Sequence, residues 1–162
     1  MTLKNNAIST FLTGLTLILL VACGQNNSDN SLTKTVKIRP NQQTLTIDTF
    51  SNFPPEIDGC SCYFSNDSTE FKKGEFIYVN DYAQTSFLKI NGILTKFIQT
   101  DFKEIDSSHI IVKYKSDNYE MTIESKDGIQ SGDETWQKKG TIKLTNKKGE
   151  VVEKTFYGEC GC

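Results

Sequence analysis

Two closely spaced pairs of cysteines are the residues of this chain best suited to chemistry. One residue separates the cysteines of each pair, in Cys60-Ser61-Cys62 and in Cys160-Gly161-Cys162. Thiols at this spacing can form disulfides, bind a soft metal ion as thiolates, or cycle between redox states. The fifth cysteine, Cys23, is far from both pairs in the sequence and follows an apolar stretch.

Strand geometry explains how the two pairs could meet. Residues i and i+2 of a strand face the same side, so each pair would present both sulfur atoms together. In an antiparallel arrangement the first cysteine of one pair faces the last of the other, which gives Cys60 with Cys162 and Cys62 with Cys160. The sequence leaves all three possible pairings open. A bridge closing a loop of about 100 residues would stabilise the fold by at most about 4–5 kcal/mol in the chain-entropy model.

The alternative is a copper or zinc site built by the same four thiols. Paired cysteines of structural zinc sites usually have two to four residues between them, so this spacing is tight for zinc. Soft thiolates nevertheless suit Cu(I). No Cys-x-x-Cys motif favours redox cycling. We therefore predict disulfides, with no metal and no cofactor other than a covalent lipid, and keep thiolate metal binding as the alternative for Cys60, Cys62, Cys160 and Cys162.

The N-terminal segment has the features of a secretion signal. An early cation, Lys4, precedes an apolar run from Phe11 to Ala22 that ends at a cysteine. The residues Leu20-Val21-Ala22-Cys23 resemble the lipobox of bacterial lipoprotein precursors. This resemblance implies cleavage before Cys23 and acylation of that residue, so that lipid would anchor the mature protein to a membrane of the bacterial cell envelope.

The same resemblance sets the expected limits of the domains. Residues 1–22 are the predicted signal peptide, and residues 23–31 are a flexible tether because they are polar throughout. Residues 32–162 are predicted to form a single domain. An aspartate after the lipidated cysteine tends to retain such proteins at the inner membrane; Gly24 occupies that place here, which implies the outer membrane.

Charge and composition exclude some partners. The formal net charge is −2, and the sequence has no concentrated basic face of the kind that binds nucleic acid. Three lysine pairs occur near glycines. We interpret them as solvated residues of turns and strand ends rather than as sites for anionic lipid or glycan: Lys72-Lys73, Lys138-Lys139 and Lys147-Lys148.

Catalytic patterns are weak. The single histidine, His109, excludes a zinc site built from several histidines. It follows Ser107 and Ser108, but no Gly-x-Ser-x-Gly nucleophile elbow is present. We interpret His109 as structural or solvent-facing, and Trp136, the single tryptophan, as a core residue with a partner-facing role as the alternative.

The body of the chain alternates apolar and polar residues with the period of two that is typical of strands. Segments 85–90 and 93–98 flank Asn91-Gly92, which favours a type I′ hairpin with Ile90 opposite Ile93. A second hairpin is predicted over 110–124, followed by a turn at 126–128, a strand over 135–145 and a last long strand over 150–157. No convincing helix follows the signal helix. The expected fold is all-β, an antiparallel β-sandwich or β-barrel of roughly 8–9 strands.

These observations predict a protein that is not an enzyme. We expect a binding or structural module tethered to the envelope, with the membrane, through the lipid, and an envelope protein or glycan as partners. Small lipoproteins that inhibit lysozyme are also compact β proteins with disulfides. That further alternative rests on architecture alone, because none of their local motif occurs here.

Overall fold

The chain forms a closed barrel of antiparallel strands in a computed structural model that describes residues 44–162. The predicted signal peptide, Cys23 and the tether lie outside the described residues. The described part contains nine strands and one short helix, which are β1 (Ile47–Asp48), β2 (Ser61–Ser65), α1 (Ser68–Lys73), β3 (Tyr78–Asn80), β4 (Thr85–Ile90), β5 (Ile93–Asp106), β6 (His109–Lys115), β7 (Tyr119–Gly132), β8 (Thr135–Asn146) and β9 (Val151–Gly161).

Strands β2 to β9 form an up-and-down barrel in which each strand pairs with the next one along the chain. The barrel closes because β9 also pairs with β2, where Cys62 lies opposite Cys160 and Phe64 opposite Gly158. β1 is an extra strand that pairs with the end of β4. Closure leaves no unpaired edge between β2 and β9. The all-β prediction is confirmed, and the fold is a barrel rather than a sandwich.

The hairpin between β4 and β5 has the predicted register. Ile90 lies opposite Ile93, and Leu88 lies opposite Thr95. The two turn residues, Asn91 and Gly92, have φ values of 47° and 82°. A type I′ turn requires positive φ at both of these positions, which is why the Asn-Gly pair specified it.

Two expectations about local structure are wrong. The turn predicted at 126–128 is absent, since β7 continues to Gly132, which pairs with Thr135. The pairing of β7 with β8 is irregular between Asp127 and Gln130, so the alternation of side chains is interrupted there although the strand continues. A short helix, α1, is also present. Asp67 caps its start by accepting hydrogen bonds from two backbone amides, and Gly74 ends it with φ of 72°.

Apolar side chains fill the end of the barrel near the β4–β5 turn. The largest of the fully buried residues there come from four different strands, and they include Leu88, Ile90, Phe97, Met121 and Leu144. Leu45 and Ile47, from the segment leading into and through β1, belong to the same cluster. We call this the filled end; it leaves the opposite end as the place where the interior can accept another molecule.

Glycines in the strands make room for a pair of stacked rings inside the barrel. Phe64 and Phe156 are stacked with their centroids 4.1 Å apart. Gly158 lies opposite Phe64, and Gly140 lies opposite Phe156. A side chain at Gly158 would collide with the Tyr63 carbonyl oxygen and with the Phe64 ring. The stack therefore depends on glycine at this position of β9.

Within residues 44–162, no helix combines the length and the apolar character needed to cross a bilayer.

Candidate ligand-binding site

The barrel interior contains a cavity of about 270 Å³ at the end opposite the filled end. Side chains from β2, β3, β5, β6, β7, β8 and β9 line it, together with the β3–β4 turn. Much of its wall is apolar, contributed by Phe64, Phe102, Val112 and Ile123 among others. Barrels of eight strands are just wide enough to hold one small ligand. Pockets for small ligands begin at about 300 Å³, so this cavity is close to the lower limit of that range.

Two tyrosines form a polar group on the wall of this cavity. The hydroxyl oxygens of Tyr78 and Tyr114 lie 3.0 Å apart, within hydrogen-bond distance. Burial raises the pKa of Tyr78 well above its usual value, and the neighbouring Tyr114 raises it further. Burial is also the main cause that raises the pKa of Tyr114. Both side chains therefore present neutral hydroxyls at physiological pH.

Asn80 fixes the rim of the cavity. Its side-chain oxygen accepts hydrogen bonds from the backbone N–H of Cys62 at 2.9 Å and from that of Tyr82 at 3.1 Å. These two bonds join the start of β2 to the β3–β4 turn. Because Asn80 itself is buried, the bonds are protected from solvent and hold the rim in one position.

Lys138 is the cationic residue of the cavity. It points inward, in contrast to the prediction that the Lys138-Lys139 pair is solvated, and its side chain is only 12% exposed. Its ammonium group pairs with the carboxylate of Asp127, which lies directly opposite on β7. The prediction holds for Lys139, which is exposed and lies 5.9 Å from the Tyr157 ring. Alternation along β8 explains the difference, because consecutive residues of a strand face opposite sides.

Ser125 contributes an unsatisfied hydroxyl to the same wall. The residue is 3% exposed, and its oxygen has no hydrogen-bond partner among residues 44–162. Two other buried hydroxyls, those of Ser86 and Ser116, share this property. Only Ser125 of the three lines the cavity. A buried polar group without a partner is costly, so this hydroxyl is suited to bind a ligand atom.

The expected disulfides are present. Cys60 is bonded to Cys162, and Cys62 to Cys160, which joins segments 102 and 98 residues apart. The second bridge lines the cavity. Sulfur atoms bound in disulfides are not available as thiolate ligands. In the part of the chain that the structure describes, no cluster of three or more His, Cys, Asp or Glu side chains could hold a metal ion.

His109 lies away from the cavity. Its Nε2 atom is 2.8 Å from Oε1 of Glu124, on the outer face of the barrel. The hydroxyl of Ser108 donates to the carboxylate of Asp106 instead of facing the imidazole. The structure thus does not bring His109 and its neighbouring serine together as a nucleophile and base.

Apolar side chains surround the opening of the cavity. Tyr82 and Phe102 line the cavity and are about half exposed. Trp136 lies opposite Cys160 on the neighbouring strand and is 38% exposed, so the expectation that it packs in the core is wrong. Because Cys160 lines the cavity, Trp136 is close enough to serve as a fluorescent reporter for this end of the barrel.

Sequence reasoning missed the polar residues of the cavity, although the alternation contained the signal. Lys138 has the same parity as Ile142 and Leu144, and Ser125 the same parity as Met121 and Ile123. Each polar residue thus extends an apolar face of its strand toward the open end of the barrel.

Comparison of the chain with protein-family models, with curated proteins and with solved structures gave no match.

Proposed function

We propose that this protein is a lipid-anchored binding protein of the bacterial envelope that holds one small molecule inside its barrel. The observation that carries the proposal is the cavity of about 270 Å³, which combines an apolar wall with a few convergent polar groups. Small-molecule sites have this composition, since apolar contacts supply affinity and a few polar contacts fix orientation.

The sequence and the sulfur chemistry support the envelope location. The lipobox at Leu20-Val21-Ala22-Cys23 provides the anchor and the export signal. Disulfides persist in oxidising compartments. One of the two joins β2 to β9, and the other joins the residues that flank these strands. Isolation of the cellular protein with Cys23 as its acylated first residue is the expected result. A protein that retains Met1 and carries no lipid would overturn this part of the proposal.

A binding role fits the site better than catalysis does. Among the polar groups that line the cavity are two neutral tyrosine hydroxyls, a serine, two side-chain amides (Asn80 and Gln99) and a lysine already paired with aspartate. None of these groups is a nucleophile that donates a hydrogen bond to a general base. Acyl transfer requires that arrangement.

A pair of variants on one strand tests the cavity. Val112 is buried and lines the cavity, so Val112→Phe should fill it. Ile111 faces the other side of β6, so Ile111→Phe adds the same ring outside the barrel. We suggest full-length protein in lipid nanodiscs, with naphthalene-2-carboxylate and naphthalene-2-carboxamide as probes and Trp136 fluorescence as the signal.

The expected result is saturable binding of at least one probe to the wild type and to Ile111→Phe, and its loss in Val112→Phe. Thermal unfolding checks that both variants fold. Binding of neither probe, together with no small molecule extracted from protein isolated from intact envelopes, would contradict the proposal. Binding that survives Val112→Phe would place the probe elsewhere and contradict it as well.

The second candidate is thiolate binding of copper or zinc. It is favoured by the convergence of four sulfur atoms where the start of β2 meets the end of β9. This function requires both disulfides to be reduced, since the metal ligand is the thiolate. Mass spectrometry of the non-reduced protein distinguishes the two states. A loss of four protons relative to the reduced form supports disulfides, whereas four thiols with stoichiometric metal would favour the metal site.

A further inference from the structure

We propose that the ligand of the barrel is an acid, a compact apolar molecule whose single anionic group binds Lys138 and Ser125. The inference rests on the proposed function, because it assigns the chemical class of the molecule in the cavity. It starts from the two polar residues on β7 and β8 that line the same wall.

Lys138 is the positive charge at this wall. Its ammonium group has three N–H donors, and Asp127 accepts from one side of it. With 12% of its side chain exposed, the lysine is mostly shielded from water, whereas Asp127 is 32% exposed. The aspartate can therefore turn toward solvent and be hydrated when a ligand anion approaches the ammonium group. Screening by water weakens such a contact less inside the barrel than on the surface.

Ser125 supplies the second donor. It lies two residues from Asp127 along β7, opposite Gly140. Lys138 is two residues from Gly140 on β8, so the serine and the lysine are diagonal neighbours on the inner face. Long side chains reach across such diagonals in antiparallel sheets. The serine hydroxyl has no partner among the described residues, and a ligand oxygen would satisfy it.

The remaining wall determines the rest of the ligand. Phe64, Val112 and Ile123 surround the space beyond the two donors. The hydroxyls of Tyr78 and Tyr114 already bond to each other and stay neutral, so they offer no second charge. Among the lining residues, Lys138 is the one cationic side chain, and Asn80 and Gln99 add neutral amides beside the apolar wall. This combination fits a small carboxylic acid with one or two rings. A dication would find no carboxylate among the lining residues to pair with its charges.

The matched probes distinguish this inference from the general proposal. Naphthalene-2-carboxylate and naphthalene-2-carboxamide have nearly the same shape and differ in charge. We expect the wild-type protein to bind the carboxylate at least about 10-fold more tightly, the usual effect of a hydrogen bond to a charged group. Equal affinities for the two probes would overturn the inference and leave the small-molecule function standing.

Substitutions assign the charge to its residue. Lys138→Met keeps the length of the side chain and should weaken carboxylate binding about 10- to 100-fold while changing amide binding less than about 2-fold. Lys139→Met removes the same charge from the outer face and is the control. Ser125→Ala should weaken carboxylate binding about 2- to 10-fold.

Asp127→Asn separates anion binding from a purely structural ion pair. Loss of the aspartate charge removes the competitor for the ammonium group, so carboxylate affinity should increase relative to the wild type. If Lys138 served only to hold the barrel together, Asp127→Asn and Lys138→Met would both lower thermal stability and would change the two probes' affinities alike. That parallel change, or equal effects of Lys138→Met and Lys139→Met, would refute the assignment.

Discussion

Tyr78 and Tyr114 share a hydrogen bond between their hydroxyl groups, 3.0 Å apart, in the interior of the barrel. The two residues lie on strands that are not neighbours in the sheet, so the bond crosses the interior from β3 to β6. Their rings meet edge to face with centroids 6.2 Å apart. This contact makes the open half of the barrel rigid without filling it.

Removal of both hydroxyls should cost less than the sum of the two single removals. Tyr78→Phe leaves the Tyr114 hydroxyl buried with one partner fewer, and we expect a loss of about 1–3 kcal/mol in the free energy of unfolding. The double variant with Tyr114→Phe should lose less than the sum of the two single variants. Urea denaturation of the four proteins measures this coupling. Strict additivity would show that the hydroxyls act independently.

The same tyrosines predict a loss of stability at alkaline pH. Their folded-state pKa values are raised by burial above the ordinary value near 10. The unfolded chain therefore releases these protons first, and the stability they contribute is present below about pH 10 and declines as the pH rises toward the folded-state values. Absorbance at alkaline pH should detect ionisation of Tyr78 and Tyr114 only together with unfolding. Reversible ionisation of Tyr78 or Tyr114 in a folded barrel would contradict this.

Removal of one disulfide should cost less stability than removal of the other disulfide afterwards. They close almost the same loop, with separations of 102 and 98 residues. Loss of one bridge leaves that loop closed, so Cys60→Ala with Cys162→Ala should cost about 2 kcal/mol, whereas loss of both bridges should cost about 4–5 kcal/mol. Chemical denaturation under non-reducing conditions tests this. A first removal that costs as much as the full set would contradict the shared-loop account.

Gly158 should be intolerant of a side chain. Gly158→Ala places a methyl group against the Tyr63 carbonyl and the Phe64 ring, and we expect a loss of at least about 1–3 kcal/mol from overpacking. Gly132→Ala is the control, because its added methyl group would meet Thr135 only at 3.5 Å, an ordinary contact. Thermal unfolding of both variants provides the comparison. Equal melting temperatures would show that the strands adjust to the methyl group.

Alternation predicted the strands because half-buried strands need it, and Asn91-Gly92 predicted its hairpin because few residues accept two positive φ values. Barrel closure could be anticipated only through the cysteines, since pairing between β2 and β9 joins residues remote in sequence. The extension of β7 was missed because residues 126–128 have the composition of a turn, whereas the strand continues through them with irregular pairing. The six residues of α1 are too few for a helical period. The sequence signals for this helix were therefore at its ends, in the capping residues Asp67 and Gly74.

The position of Lys138 inside the barrel was also missed. A lysine pair beside a glycine, read as local sequence, indicates a solvated turn, and the strand partner Asp127 cannot be identified before the register of β7 on β8 is known. Sites of this kind depend on tertiary pairing, so local composition predicts the sheet better than it predicts the cavity.

The spacing of the cysteines also allows disulfide formation to distinguish the native register of β2 and β9 from shifted registers. If β9 slid by two residues along β2 in either direction, only one cysteine of each strand would still meet a counterpart, and the other two thiols would stay apart. The alignment with Cys62 opposite Cys160 is the one in which all four sulfurs can oxidise across the seam. Complete cross-strand oxidation thus selects molecules whose first and last barrel strands have met in the native register, and a misaligned intermediate retains free thiols through which exchange can correct it.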